Sequence, residues 1–264
     1  MNYILGFIGC GNMGGALARA AAKAVGGENI AVNDYCEEKA QTLASETGAA
    51  VLPSAELVKA CKFVVLGVKP QTMEQTLAPL SDVLKAQKNV VVTMAAGVSI
   101  AAIRRFIGAE LPVIRIMPNT AALVGEGMIL YDCADVSDSD EKAFLDCFSK
   151  AGALDKLPED KIDAASALSG CGPAFVYAFA EALADGAVEC GVPRDKAAKY
   201  AAQTLLGSAK MLLEYGHPSD LKDAVCSPGG TTIAGMHALE KAGFRSAAMD
   251  AVTAAYKRTL ELKK

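Results

Sequence analysis

Three short glycine-rich stretches of this chain, two of them carrying hydroxyl side chains, have spacings that could serve chemistry. The first is Gly9-Cys10-Gly11-Asn12-Met13-Gly14. An apolar, β-prone run, Tyr3–Ile8, leads into it, and a strong helix former, Ala16–Ala22, follows. Strand, glycine triplet and helix in that order are the context in which G-x-G-x-x-G points to a dinucleotide. Gly9 would permit the tight turn, Gly11 would let a pyrophosphate approach the backbone, and Gly14 would let helix and strand pack closely. Free N–H groups and the positive end of the helix dipole would hold the phosphates. An ordinary strand–helix turn is the competing reading of the same glycines.

Asp34 lies 20 residues beyond Gly14, after a second β-prone run at Asn29–Asn33. A carboxylate at that place typically bonds the adenine ribose hydroxyls. It also repels a 2′-phosphate, so on charge alone it favours NAD(H) over NADP(H). The alternative is a helix cap ahead of Glu37-Glu38-Lys39-Ala40. The other two stretches are Ser169-Gly170-Cys171-Gly172 and Ser227-Pro228-Gly229-Gly230-Thr231-Thr232. Each opens a helical pattern and places hydroxyls and bare N–H groups at its N-terminus, which suits a carboxylate. Plain capping explains either one alone; two in one half of the chain tip the balance towards substrate binding. Cys171 and Cys226 border these loops and read as small packing residues.

Composition narrows the class. The 264 residues are 52% hydrophobic and 21% charged, which is globular and not disordered. The net charge is -4 with the basic residues scattered, so neither nucleic-acid nor membrane-surface binding is expected. No apolar run is expected to reach the length of a membrane span. The start MNYILGF reads as a strand and not as a signal peptide. Eight cysteines occur singly, and with only His217 and His237 to join them no metal site is expected. Reduced thiols in a cytoplasmic protein are the natural reading.

These residues need a scaffold, and the rest of the chain supplies one. Further strands are expected at Lys62–Gly67, Asn89–Met94, Leu111–Met117, Gly127–Tyr131 and Gly152–Lys156, separated mostly by helical stretches. Repeated βα units indicate a parallel sheet, with the ligand crevice at the carboxyl ends of its strands. After Leu157-Pro158 the pattern becomes helical, near 173–190, 193–214, 219–226, 231–242 and 245–262. The fold class is therefore α/β: a Rossmann-type dinucleotide-binding domain over 1–160 and an all-α domain over 161–264. About 100 residues cannot bury five alanine-rich helices well alone, so the helical domain should pair with a second copy.

The same motifs carry a family resemblance. GFIGCGNMG, VKPQ (Val68–Gln71), AAG (Ala95–Gly97), VIRIMPNTAALVGEG (Val113–Gly127), LSGCGPAF (Leu168–Phe175), LKDAVCSPGGTTI (Leu221–Ile233) and HALEKAGFRS (His237–Ser246) resemble the pyrroline-5-carboxylate reductases, nearly end to end. The resemblance implies hydride transfer from NAD(P)H to the C=N carbon of 1-pyrroline-5-carboxylate, giving L-proline in the last step of proline biosynthesis. It implies that Gly9, Cys10, Gly11, Asn12 and Met13 hold the cofactor phosphates. Val68, Lys69 and Pro70 would line its adenosine side, and Ala95, Ala96 and Gly97 its nicotinamide side, with Pro118 and Asn119 at the nicotinamide border. Ser227, Gly229, Gly230, Thr231 and Thr232 would take the substrate, joined by Ser169 and Gly172, and the Thr232 hydroxyl would act on the ring nitrogen. Family members are usually dimers, or rings of dimers, joined through the helical domain.

Two departures stand out. NADPH-preferring members often carry Ser or Asn followed by Arg after the second strand, whereas this chain has Asn33-Asp34-Tyr35 in its cofactor stretch. NADP is the family norm, and Asp34 suggests NAD. Ala224 stands where some relatives place an Asn that helps bind the product. Two rivals fare worse. A 3-hydroxyacid dehydrogenase wants a Lys on the helix after Gly172, and the sequence there is Pro173-Ala174-Phe175-Val176-Tyr177-Ala178. A non-catalytic dinucleotide sensor would leave Ser227–Thr232 idle.

Overall fold

The computed structural model describes residues 2–262. Its strands are β1 (Tyr3–Ile8), β2 (Ile30–Asn33), β3 (Ala50–Val51), β4 (Cys61–Leu66), β5 (Val90–Thr93), β6 (Val113–Met117), β7 (Gly127–Ala134) and β8 (Gly152–Lys156). They form one sheet in the order β3-β2-β1-β4-β5-β6-β7-β8. From β3 to β6 every neighbouring pair is parallel. This is the doubly wound order of dinucleotide-binding sheets, extended by two strands.

The covering helices are α1 (Asn12–Val25), α2 (Glu37–Thr47), α3 (Ser54–Ala60), α4 (Met73–Leu77), α5 (Ser81–Gln87), α6 (Ile100–Ile107), α7 (Asp138–Phe148) and α8 (Glu159–Ser169). Alternate strand residues feed opposite faces, as the pleat requires. Phe7, Phe63 and Val65 pack with Leu17, Phe144 and Phe148 on one face. Val64, Leu66 and Val91 pack with Leu57, Leu84 and Ile103 on the other. Both faces being covered explains why Phe63–Leu66 of β4 and Val90–Val92 of β5 read as unbroken apolar runs.

Two features of the sheet depart from expectation. The two-residue β3 was not foreseen, because so short a strand leaves no periodic signature. β7 runs antiparallel to β6, since the link from Met117 to Gly127 is too short for a parallel crossover. The chain forms two compact units, one holding the chain up to Gly170 and the stretch from Tyr256, the other Cys171–Ala255, so residues 161–170 lie with the sheet. The reason is α8. Its Asp163 and Glu159 carboxylates pair with the buried guanidinium of Arg115 on β6, at 2.7 and 3.3 Å.

The second unit is built from α9 (Gly172–Glu189), α10 (Arg194–Tyr215), α11 (Pro218–Ala224), α12 (Thr231–Lys241) and the first part of α13 (Phe244–Leu262). Its buried core among the described residues is Ala184, Ala197 and Ala201, with Ala187, Val188 and Val192 beside them. Val176, Tyr177, Leu183, Tyr200, Leu206 and Leu213 remain exposed. Contrary to expectation, the run Glu159–Glu189 is long and apolar enough to cross a membrane, with mean hydropathy 1.3 over 18 residues. It is interrupted at Gly170-Cys171, between α8 and α9.

Candidate functional site

The strands bring their carboxyl ends level. Ile8 pairs in register with Asn33 on one side and Leu66 on the other, and Leu66 pairs with Thr93. Gly9, Asp34 and Gly67 therefore follow in one row. The Gly9 N–H donates to the Asn33 carbonyl and the Gly67 N–H to the Ile8 carbonyl, both at 2.8 Å.

The glycine loop divides its labour. Gly9 sits at φ +106°, which only glycine adopts freely, and a Cβ there would stand 2.6 Å from the Gly67 backbone. A Cβ on Gly14 would lie 2.1 Å from the Gly9 carbonyl oxygen. At Gly11 a Cβ would meet nothing within 4 Å. Two glycines are needed by the protein's own packing, and the third faces open space. Gly11 is also the N-cap of α1, with no side-chain cap and no acid in the first turn. The first intrahelical bond there runs from the Gly15 N–H to the Gly11 carbonyl at 2.7 Å. The N–H groups of Asn12, Met13 and Gly14 thus stand ahead of it, the cradle a dinucleotide phosphate fits.

Asp34 is fixed from two sides. Its Oδ2 accepts the Cys10 N–H at 2.6 Å and its Oδ1 the Cys36 N–H at 2.9 Å. The side chain ties the turn ahead of α2 to the glycine loop, but it does not cap that helix, whose N-cap is Cys36 with no side-chain cap. Asn33 points elsewhere: its Nδ2 donates to the Leu52 carbonyl at 2.8 Å and its Oδ1 accepts from Ser54 at 2.7 Å. Those bonds pin the end of β2 and occupy the side chain. The Cys10 thiol donates to the Asn33 carbonyl, and burial pushes its pKa up to about 11, so it stays protonated. A cleft of about 410 Å³ opens beside the loop, lined by Cys10, Gly11, Asn12, Arg19, Cys36 and Lys39 among others. Arg19 is paired with Glu46 at 2.5 Å. Lys39 has no ion-pair partner among the described residues.

Beyond β4, Val68 is half-buried, Lys69 is exposed, and Pro70 opens a 3₁₀ turn at its first position. Beyond β5, Ala95 is buried while Ala96 and Gly97 are exposed. That turn is closed by the Val98 N–H on the Ala95 carbonyl, with Gly97 at φ +75°. Beyond β6, Pro118 is buried and the Asn119 side chain is held through both its oxygen and its nitrogen. The Asn119 Oδ1 accepts the N–H groups of Ala121 at 3.2 Å and Met128 at 3.3 Å. Its Nδ2 donates to the Ser169 carbonyl at 2.9 Å. Two residues expected in different ligand sets, Asn119 and Ser169, thus touch each other.

In the second unit, Ser227–Thr232 forms a turn in which the Gly230 N–H donates to the Ser227 carbonyl at 3.0 Å and Gly229 adopts φ +68°. Gly230 is the N-cap of α12, and no side chain caps that helix. Plain hydroxyl capping therefore does not account for the loop. Thr231 and Thr232 are the first residues of α12 and are exposed, as is Ser227. At Gly172, the first residue of α9, a Cβ would meet nothing within 4 Å. Cys171 and Ala224 are exposed, and Cys226 is half-buried.

Sequence reasoning missed the buried pair Arg115 and Asp163 and the half-buried Glu159 beside them. The available signal was an arginine in the middle of the apolar run Val113–Met117. A cleft of about 810 Å³ lies among Ile100, Arg104, Arg105, Asp132 and Glu159 and contains none of the expected site residues.

A doubly wound sheet with an open glycine loop, continued by a helical unit short of core, defines a nicotinamide dinucleotide-dependent oxidoreductase with a helical oligomerisation region. The comparisons agree. Residues 4–97 match the family described as NADP oxidoreductase coenzyme F420-dependent, and residues 159–262 match pyrroline-5-carboxylate reductase dimerisation. The pyrroline-5-carboxylate reductase of Methanosarcina acetivorans is 42% identical over 268 residues, covering 100% of this chain and 99% of that protein. That of Escherichia coli is 40% identical over 270 residues, covering 100% of both. The crystal structure of Plasmodium falciparum pyrroline carboxylate reductase with NADP bound superposes with a TM-score of 0.87 at 33% identity, covering 100% of this chain and 99% of that one. The Coxiella burnetii enzyme gives a TM-score of 0.92 at 29% identity, covering 100% of both chains. The chain belongs to the pyrroline-5-carboxylate reductase family.

Proposed function

We infer that this chain reduces 1-pyrroline-5-carboxylate to L-proline with a reduced nicotinamide dinucleotide. The observation that carries this is likeness over the whole length, both units included, to reductases at 40–42% identity. When bound, the nicotinamide supplies the hydride that adds to the C=N carbon; the ring nitrogen takes a proton. The protein's part is chiefly proximity and orientation, which can lower a barrier by ~7–11 kcal/mol.

Gly11 and the uncapped first turn of α1 take the pyrophosphate, with Gly9, Cys10, Asn12 and Met13 shaping the loop. Val68, Lys69 and Pro70 flank the adenosine, and Ala95–Gly97 with Pro118 flank the nicotinamide. The uncapped N-terminus of α12 suits the substrate carboxylate, held by Ser227, Gly229, Gly230 and Thr231. Thr232 bonds the ring nitrogen. A Thr hydroxyl is too weak an acid to supply the proton itself, so it orients the nitrogen or relays a proton from water.

The fixed carboxylate of Asp34 at the end of β2 supports a preference for NADH, because a 2′-phosphate there would meet an anion held by two N–H groups. Exposed apolar residues on α9 and α10 support a dimer through the helical unit, and the family resemblance extends this to a ring of dimers. Eight free thiols are compatible with a reducing cytoplasm.

Steady-state oxidation of NADH and of NADPH with pyrroline-5-carboxylate tests the reading, and no turnover with either cofactor refutes it. Asp34→Ser should move the NADPH-to-NADH efficiency ratio upwards by about tenfold or more, one to two kcal/mol of charge repulsion. An unmoved ratio would mean that Asp34 serves the loop alone. Thr232→Ala should lower kcat by roughly 10–100-fold, the loss of one hydrogen bond to a charged group, with NADH affinity unchanged.

A further inference from the structure

We propose that Asn119 is a positioning residue: it locks the end of α8 to the loop after β6 and does not bind the dinucleotide itself. The consequence for turnover rests on the reductase reading; the geometry does not.

A side-chain amide offers two N–H donors and two acceptor sites on its oxygen. Asn119 uses one donor and both acceptor sites within the fold, on Ser169, Ala121 and Met128. Its partner on α8 needs this bond. Ser169 is the last residue of that helix, where carbonyls lack an intrahelical donor. The Ser169 hydroxyl is enclosed and makes no hydrogen bond among the described residues, so its own side chain does not hold it. Asn119 supplies the hold from outside.

The other end of α8 is anchored to the same strand. Arg115 on β6 bonds Asp163 at 2.7 Å and Glu159 at 3.3 Å. The Glu159 carboxylate also accepts the Ile100 N–H at 2.8 Å, and the Glu159 N–H donates to Asp132 at 2.7 Å. From Arg115 to Asn119 the extended chain advances about 13 Å. From Glu159 to Ser169 the helix advances about 15 Å. Two rods of similar length are thus joined near both ends. Pro118, expected at the nicotinamide border, adjoins one joint. Ser169, immediately ahead of Gly170-Cys171-Gly172, is the other half of that joint. Loosening it would shift both sets of residues by fractions of an ångström to an ångström, and misplacement of about 1 Å can cost 10²-fold in rate.

Asn119→Asp is the direct test. It keeps an acceptor for Ala121 and Met128 but presents a carboxylate oxygen to the Ser169 carbonyl. The expected result is a kcat lower by about 10–100-fold, an NADH dissociation constant within twofold of wild type, and faster amide hydrogen exchange confined to residues 166–174. Asn119→Ala, which removes the donor without the repulsion, should give the same signature more mildly and stands in if the first variant does not fold. A folded variant with unchanged kcat overturns the proposal. So does one whose NADH affinity weakens as much as kcat/KM falls, which would place Asn119 on the cofactor. If neither variant folds, Asn119 is architectural only and the proposal fails. Hydrogen exchange and NADH binding are read without pyrroline-5-carboxylate, so a wild type inactive on that substrate would refute the function and leave the joint testable.

Discussion

In β4, five of six residues are buried, whereas α12, eleven residues long, buries none. The sheet unit closes its core within one chain because helices cover both faces of a parallel sheet. The helical unit has three buried alanines at its centre and leaves large apolar side chains in the open. The contrast teaches where each half finds its stability: the first in its own packing, the second in association with another copy. That is what a match to a dimerisation family requires of residues 159–262.

The largest expected effect lies in the helical unit. Leu206 and Leu213 are seven residues apart on α10, so they share a face, and they are 47% and 89% exposed. Changing both to Asp places unpaired charges in the interface, worth about 3–5 kcal/mol each once buried. The oligomer should dissociate, with affinity down by at least ~10²-fold, as read by light scattering or sedimentation. An unchanged mass would break the comparison, since α10 would then be a stable free surface.

A smaller effect separates two glycines within the sheet unit. Gly14→Ala drives a methyl to 2.1 Å from the Gly9 carbonyl and should cost about 1–3 kcal/mol, seen as a lower Tm. Gly11→Ala meets open space on extended backbone (φ −66°, ψ −170°) that alanine adopts freely, and should leave Tm alone while weakening NADH binding. Equal stability losses in both would mean that the loop has no open side.

The smallest concerns pH. The Lys156 ammonium, followed by the Tyr131 hydroxyl, holds the Glu141 carboxyl below the usual carboxylate range. A carboxyl depressed on folding adds stability above its ordinary pKa near 4.3, and this is lost as pH falls through the lower folded value. Tm should therefore fall more steeply in wild type than in Glu141→Gln between about pH 5 and pH 3. Identical slopes would show that the Glu141–Lys156 pair contributes nothing.

Most of the sheet was legible because a strand buried on both faces must be a continuous apolar run, as β1, β2, β4 and β5 nearly are, whereas β8 has no buried residue. β3 escaped because two residues carry no pattern. The reversed direction of β7 escaped because side-chain alternation is the same in both senses. At the site, Gly9 and Gly14 were readable from spacing alone, since each answers a steric demand of one local turn, whereas the protein itself makes no such demand at Gly11. Asn33 and Asn119 were not. An amide can serve a ligand or a carbonyl equally well, and which it meets depends on Leu52 and Ser169, distant in the chain.

By itself the sequence determined the order of elements, the glycine loop, the carboxylate after β2 and the shortage of core in the helical half. These rest on local sterics and on periodicity, which act over a few residues. Only the tertiary structure decided that Asp34 faces the Cys10 N–H, that α8 belongs with the sheet, and that Asn119 and Arg115 brace it. Those outcomes depend on hydrogen-bond partners 24 to 50 residues away, and only the folded chain brings such groups within 3 Å.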